Sequence, residues 1–176
     1  MTGSSFQFGN HNSADDWGIR VIAHDFLFPP KRARKVAIPH RDGMYDFGAQ
    51  NFEERTLRLS CTLERKITRA ALREIVYILC QKKQIRLWNE PDKYYIGELY
   101  DPDEILDYPM EVEREFELNF ICEPFAYMDA VDAPVSSGHN AVPYRGTANA
   151  PCVITLHNPN SYAITNVTIT AIKRRI

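Results

Sequence analysis

Residues 5 to 9 and 17 to 24 carry the two-residue alternation of β-strands: Phe6 and Phe8 flank Gln7, and Trp17, Ile19 and Val21 alternate with small or polar neighbours. The clearest strand is 56 to 64, where Leu57, Leu59, Cys61 and Leu63 share one face while Thr56, Arg58, Ser60 and Thr62 share the other. From Thr68, a plausible N-cap, the period changes to that of a helix, with Leu72, Ile75, Val76, Leu79 and Cys80 on one stripe and Arg69, Arg73 and Lys82 off it. This is the only convincing helical pattern. Residues 85 to 88 and 93 to 100, parted by Asn89-Glu90-Pro91-Asp92, predict a hairpin. Residues 112 to 121 predict a second amphipathic strand, with Val112, Phe116, Leu118 and Phe120 opposite Glu113, Glu115, Glu117 and Asn119, and with Arg114 interrupting the apolar side.

These pieces predict a mainly β architecture: an antiparallel sandwich or barrel-like N-terminal domain over 1–128 with one flanking α-helix. Pro29-Pro30 breaks the strand pattern. The basic stretch that follows is bounded by Pro30 and Pro39 and closes on Asp42-Gly43, which suits an extended arm or protruding hairpin better than a core strand. Beyond Asp129 the composition turns to Ala, Pro, Ser, Gly and Asn, so 129–150 is expected to be a linker. The range 151–176, with strand-like pieces at 152–157 and 166–172, is expected to open a second, truncated β-domain. On its own, this C-terminal region is near the size below which a domain rarely holds itself together.

A chain of 176 residues can bury one good core, and 44% hydrophobic with 25% charged residues is ordinary globular composition, which argues against a disordered or membrane protein. The formal charge of −2 excludes electrostatic nucleic-acid binding by the molecule as a whole. Local charge is segregated, however. Lys31, Arg32, Arg34, Lys35 and Arg41 stand together without an acid between 31 and 41, whereas 98 to 117 holds nine acids against Arg114 alone. Cys61, Cys80, Cys122 and Cys152 are widely spaced and read as buried free thiols. No basic-then-apolar leader is present, and the longest apolar runs fall far short of the ~20 residues of a membrane span, so the product is expected to stay soluble where it is made.

Catalytic motifs are missing: there is no GxSxG, no phosphate-binding glycine loop, no HExxH and no dinucleotide fingerprint. His11, His24, His40, His139 and His157 are scattered and read as surface or structural residues. Asp101-Pro102-Asp103-Glu104 reads as a solvated acidic turn, because it lacks the ligand spacing of a cation loop. Asn166-Val167-Thr168 matches a glycosylation acceptor without the secretory context that would use it. The expectation is a non-enzyme with no catalytic residue, no cofactor and no metal.

The chemistry therefore lies in surfaces. The arm, through Lys31, Arg32, Arg34, Lys35, Val36 and Ile38, is either a solvated hairpin or a segment that docks on an acidic surface of a neighbouring copy. Glu113, Glu115 and Glu117 repel one another along one strand face, so they need cations beside them or open water. Arg55 and Arg58 could supply the cations within one subunit; otherwise the row suits a neighbour's contact or a channel wall that keeps DNA from adhering.

Ser5-Phe6-Gln7-Phe8-Gly9-Asn10, then Trp17-Gly18-Ile19-Arg20-Val21-Ile22, Ala37-Ile38-Pro39-His40-Arg41-Asp42-Gly43, and Cys122-Glu123-Pro124-Phe125-Ala126-Tyr127 occur in an order that resembles the distal tail (Dit) proteins of long non-contractile-tailed bacteriophages. The resemblance spans roughly 5 to 128 and continues weakly through Gly146-Thr147 and Pro151 to Leu156. It implies a tail-tube-like β-domain forming a hexameric ring at the tail tip of the virion, assembled in the host cytoplasm. The implied partners are further copies of the chain, the tail-tube protein and a hub or tail-fibre protein, with the tape-measure protein a further candidate. DNA would pass through the channel unbound, and no membrane is involved. The chain departs from the family at His40, where a glycine is usual, and in a galectin-like second domain that reads as stopping after its first strands, so sugar binding does not carry over. The alternative function is a carbohydrate-binding β-module recognising a host surface, for which Tyr144 and Tyr162 are the candidate contacts.

Overall fold

The computed structural model describes residues 4–26, 28–32, 35–46, 51–101, 115–144, 146–148 and 150–170. The chain divides into two compact units, Met1–Pro134 and Val135–Ile176. In the first unit the elements are β1 (Phe6–Phe8), β2 (His11–Asn12), β3 (Ile19–Phe26), β4 (Lys35–Ala37), β5 (Met44–Asp46), β6 (Arg55–Leu63), α1 (Arg69–Leu79), β7 (Lys83–Leu87), β8 (Lys93–Leu99), β9 (Glu115–Cys122) and β10 (Tyr127–Met128). The main sheet runs β2-β1-β7-β8-β9-β6-β3, with β10 continuing beside β8 past the end of β9. Strands β4 and β5 form a separate two-stranded sheet, and all strand pairs are antiparallel.

The main sheet curls until its two ends meet. Ser4, just ahead of β1, accepts from the Val21 amide of β3 at 2.8 Å and returns a hydroxyl bond to the Val21 carbonyl at 2.5 Å. On its other side Ser5 accepts from Trp88 N at 3.2 Å. The curl encloses one core, into which β6 turns Leu57, Leu59, Cys61 and Leu63, and β9 turns Leu118, Phe120 and Cys122. Their register, with Leu59 opposite Leu118 and Leu57 opposite Phe120, aligns the two stripes. Phe120 meets the rings of Phe6 and Phe8 from β1 at 5.8 and 5.9 Å.

Thr68 caps α1 as expected, its hydroxyl accepting from Ala71 N at 3.2 Å. The helix joins β6 to β7 and buries Leu72, Ile75, Val76 and Leu79 in the same core. Cys80 corrects the sequence reading: it is the C-cap residue, its amide bonding back to Val76 O at 2.9 Å, and its side chain is exposed. Burial holds for Cys61 and Cys122 alone among the four free cysteines, since Cys152 is exposed too. Trp17 is buried as its apolar character requires, but from a turn and not from a strand. Positions 112 to 114 of the expected second amphipathic strand lie outside the described residues.

The second unit differs from the expectation. Among its described residues neither the piece at 152–157 nor the described part of 166–172 forms a strand. Alternation needs a pairing edge and a face to bury, and here Val153, Leu156 and Ile164 are exposed while local bonds such as Asn158 Nδ2 to Tyr162 O at 2.8 Å shape the chain.

Candidate assembly surface

The arm grows out of the β3–β6 pair. Beyond Phe26 and ahead of Arg55 the two chains stay bonded in the same register: Glu53 N donates to Pro30 O at 2.9 Å, Arg32 N donates to Asn51 O at 2.9 Å, and Lys31 pairs with Phe52 in an isolated bridge. The ribbon then continues as β4 and β5, with Val36 opposite Tyr45 and Ala37 opposite Met44. The sequence pattern read this segment as an extended arm or a protruding hairpin without assigning the returning strand, because β5 is only three residues long.

At the tip, Arg41 N donates to Ile38 O at 3.3 Å around Pro39-His40, and His40 takes φ +63°. A positive φ at the second central position is the type II pattern, where glycine is favoured because a Cβ costs roughly 1–2 kcal/mol. The turn therefore keeps its shape although a histidine stands in it. His40→Gly is expected to raise stability by up to about 1 kcal/mol, less the flexibility glycine adds to the unfolded chain, as measured by chemical denaturation.

The described residues of this ribbon stand open to solvent. Lys31, Arg32, Lys35, Val36, Ile38, Arg41, Met44 and Tyr45 are all exposed, Met44 to 68%, and Phe28 at the arm's root stands 91% exposed. The Arg41 guanidinium lies 5.5 Å from the Tyr45 ring centre. An isolated two-stranded hairpin is marginal in water, and an apolar one invites a partner. Arg34 lies outside the described residues.

The acidic row sits elsewhere. Glu115 and Glu117 are exposed on β9, directly opposite Thr62 and Ser60 of β6, and Glu113 lies outside the described residues. Arg58 faces Asn119, one position further along that face, and Arg55 is placed 4.9 Å over the Tyr95 ring. Arg20, across β6, is paired with Glu64. Among the described residues neither Glu115 nor Glu117 has an ion-pair partner, so the intramolecular cation supply weighed from the sequence is not what this face uses. The small hydroxyl residues Ser60 and Thr62 stand opposite the exposed carboxylates instead.

Arm and acid row are kept apart within the subunit. Ser60 and Thr62 lie five and seven residues along β6 from Arg55, where the ribbon begins, or about 17–24 Å at the ordinary rise per residue.

Among the described residues, no group of three or more His, Cys, Asp or Glu is placed to hold a metal ion. His11 stacks on Trp17 at 5.4 Å with Asp16 at 3.6 Å, His24 bonds Asn89 at 2.9 Å and meets the edge of Trp88, and His139 and His157 are exposed in the second unit. Burial pushes the Cys61 thiol up and the Cys122 thiol to about 12, so neither is a ready nucleophile. Asp101 is exposed, and 102 to 104 lie outside the described residues. Tyr144 and Tyr162 are exposed, with the Tyr144 hydroxyl donating to Ala148 O. No helix among the described residues is long and apolar enough to cross a membrane.

No protein-family model matches the chain, and no curated protein matches it. Among solved structures it is similar to the SPP1 Dit protein, described as a paradigm of the hub adsorption apparatus in phages that infect Gram-positive bacteria, with a TM-score of 0.53 and 19% identity. The fold is Dit-like. The match covers 72% of this chain and 52% of the other, so the chain corresponds to about half of that protein's length.

Proposed function

We propose that this protein is a structural component of a phage tail tip, assembling as a hexameric ring that joins the tail tube to a hub or fibre protein and leaves an axial channel for DNA. The observation that carries the reading is the exposed ribbon with its basic residues at one end of the β3–β6 pair, while Glu115 and Glu117, which have no ion-pair partner among the described residues, lie toward the other end. A closed ring of identical subunits requires two different complementary patches on each copy, and this separation supports that reading. The Dit-like fold supports the choice of apparatus. In the ring, Lys31, Arg32, Arg34, Lys35, Val36 and Ile38 dock on the next subunit, apolar and backbone contacts supply the adhesion, and charge sets the register. Glu113, Glu115 and Glu117 face either that neighbour or the channel, where negative charge repels DNA phosphates. Residues 129–150 act as a linker, and 151–176 open a second domain. Electron microscopy of the purified chain tests the reading: closed six-fold rings are expected, and a field of monomers would contradict it.

A further inference from the structure

We infer that residues 123–129 form a releasable strap on the outside of β8, and that the base of the arm helps to hold it closed. Regular pairing of β9 ends where Glu123 N donates to Ile96 O at 2.8 Å. Beyond it, β10 offers only two pairs, Tyr127 opposite Tyr94 and Met128 opposite Lys93. So short a pairing does not hold a strand in water, and side chains decide whether it stays down.

Those side chains form one continuous ladder. Lys82 Nζ lies 2.7 Å from Glu123 Oε1, and the Tyr127 hydroxyl donates to Glu123 Oε2 at 2.7 Å. The Tyr127 ring stacks on Tyr94 at 5.7 Å, the Arg86 guanidinium lies 5.0 Å from the Tyr94 ring centre, and Arg86 donates to Asp129 Oδ1 at 2.6 Å. Hydrogen bonds from Lys82 and then Tyr127 hold the Glu123 carboxyl below its usual range, consistent with a formed link. Every fixed partner sits on or beside β7 and β8, and every movable one lies on the strap. Links this exposed are individually weak, so together they fall in the range of local opening and not of global unfolding.

Phe125, within the strap, meets Phe52 edge-on at 5.3 Å, and Phe52 is the residue that pairs with Lys31 at the arm's base. Movement of the ribbon base therefore removes an apolar support of the strap, and release of the strap frees the chain beyond Asp129. The use of this coupling in assembly rests on the arm being a subunit interface; the strap itself does not.

Hydrogen exchange read by mass spectrometry on the full chain, parent and variants compared at the same oligomeric mass, tests it. Asp129→Ala removes one exposed link and does not threaten the core, Arg86→Ala removes the ion pair and the ring contact together with a bond to the Pro91 carbonyl in the β7–β8 turn, and Phe52→Ala removes the arm's support. Each is expected to speed exchange in peptides spanning 123–129 by about fivefold or more, with peptides from β6 and β9 unchanged. Unchanged exchange in Asp129→Ala and Arg86→Ala overturns the strap, as does acceleration throughout the unit. Acceleration in those two with Phe52→Ala silent keeps the strap and overturns its coupling to the arm. These outcomes are independent of the oligomeric state that tests the arm.

Discussion

Phe120→Ala is expected to cost about 3–5 kcal/mol, because it deletes a fully buried ring at the centre of the main sheet and leaves a cavity there. Phe120 has no exposed surface, stands between Leu57 of β6 and Leu99 of β8, and touches Phe6 edge-on and Phe8 at a tilt. Losing two aromatic contacts adds to the loss of buried area. Since a domain of this size is stable by only about 5–15 kcal/mol, the variant should lose much of its margin in urea denaturation. A loss under about 1 kcal/mol would show that β1 and β9 do not share one core.

Gly97→Ala is expected to destabilise by roughly 2–3 kcal/mol despite alanine's better backbone propensity. Gly97 pairs with Cys122, and a Cβ there would stand 2.6 Å from both Cys122 Sγ and the Ile121 carbonyl oxygen. Because the carbonyl belongs to the backbone, β8 and β9 must separate to admit a methyl group. Cys122→Ala removes the sulfur contact alone and should not rescue the variant. Wild-type stability of Gly97→Ala in denaturant would mean that the two strands are not in this register.

Strands β6 and β9 and the helix were legible in the sequence because each carries a long apolar stripe of one period, and all three stripes needed the same core. Strands β2 and β10 were not, since two residues have no period and their place depends on partners distant in the chain, such as Asn12 with Gln7 and Tyr127 with Tyr94. Gly97 left a trace as a glycine inside an alternating run, a mark of close backbone approach, but only the register names the Ile121 carbonyl as the reason. The prolines and the acid-free basic stretch pointed to an extended arm or a protruding hairpin. What they concealed was its return through Met44 and Tyr45 and its anchoring by Phe52 on Phe125, contacts that depend on the register of the ribbon. The acidic row was visible from spacing, whereas the diversion of Arg55 onto Tyr95 follows from its position at the end of β6. In the second unit alternation alone misled, because a strand pattern becomes a strand only where another edge meets it.

The most direct test of the assembly account is mass in solution by light scattering, for the chain and for a variant in which residues 35–46 are replaced by two glycines. The pairings of Pro30 with Glu53 and of Arg32 with Asn51 stay outside the replaced segment, so the core should fold unchanged, as circular dichroism can verify. The account predicts a ring of about six copies of the 20.3 kDa chain, reduced to a monomer in the variant. A folded variant with the oligomeric mass of the parent, or a parent that remains a monomer, would contradict it.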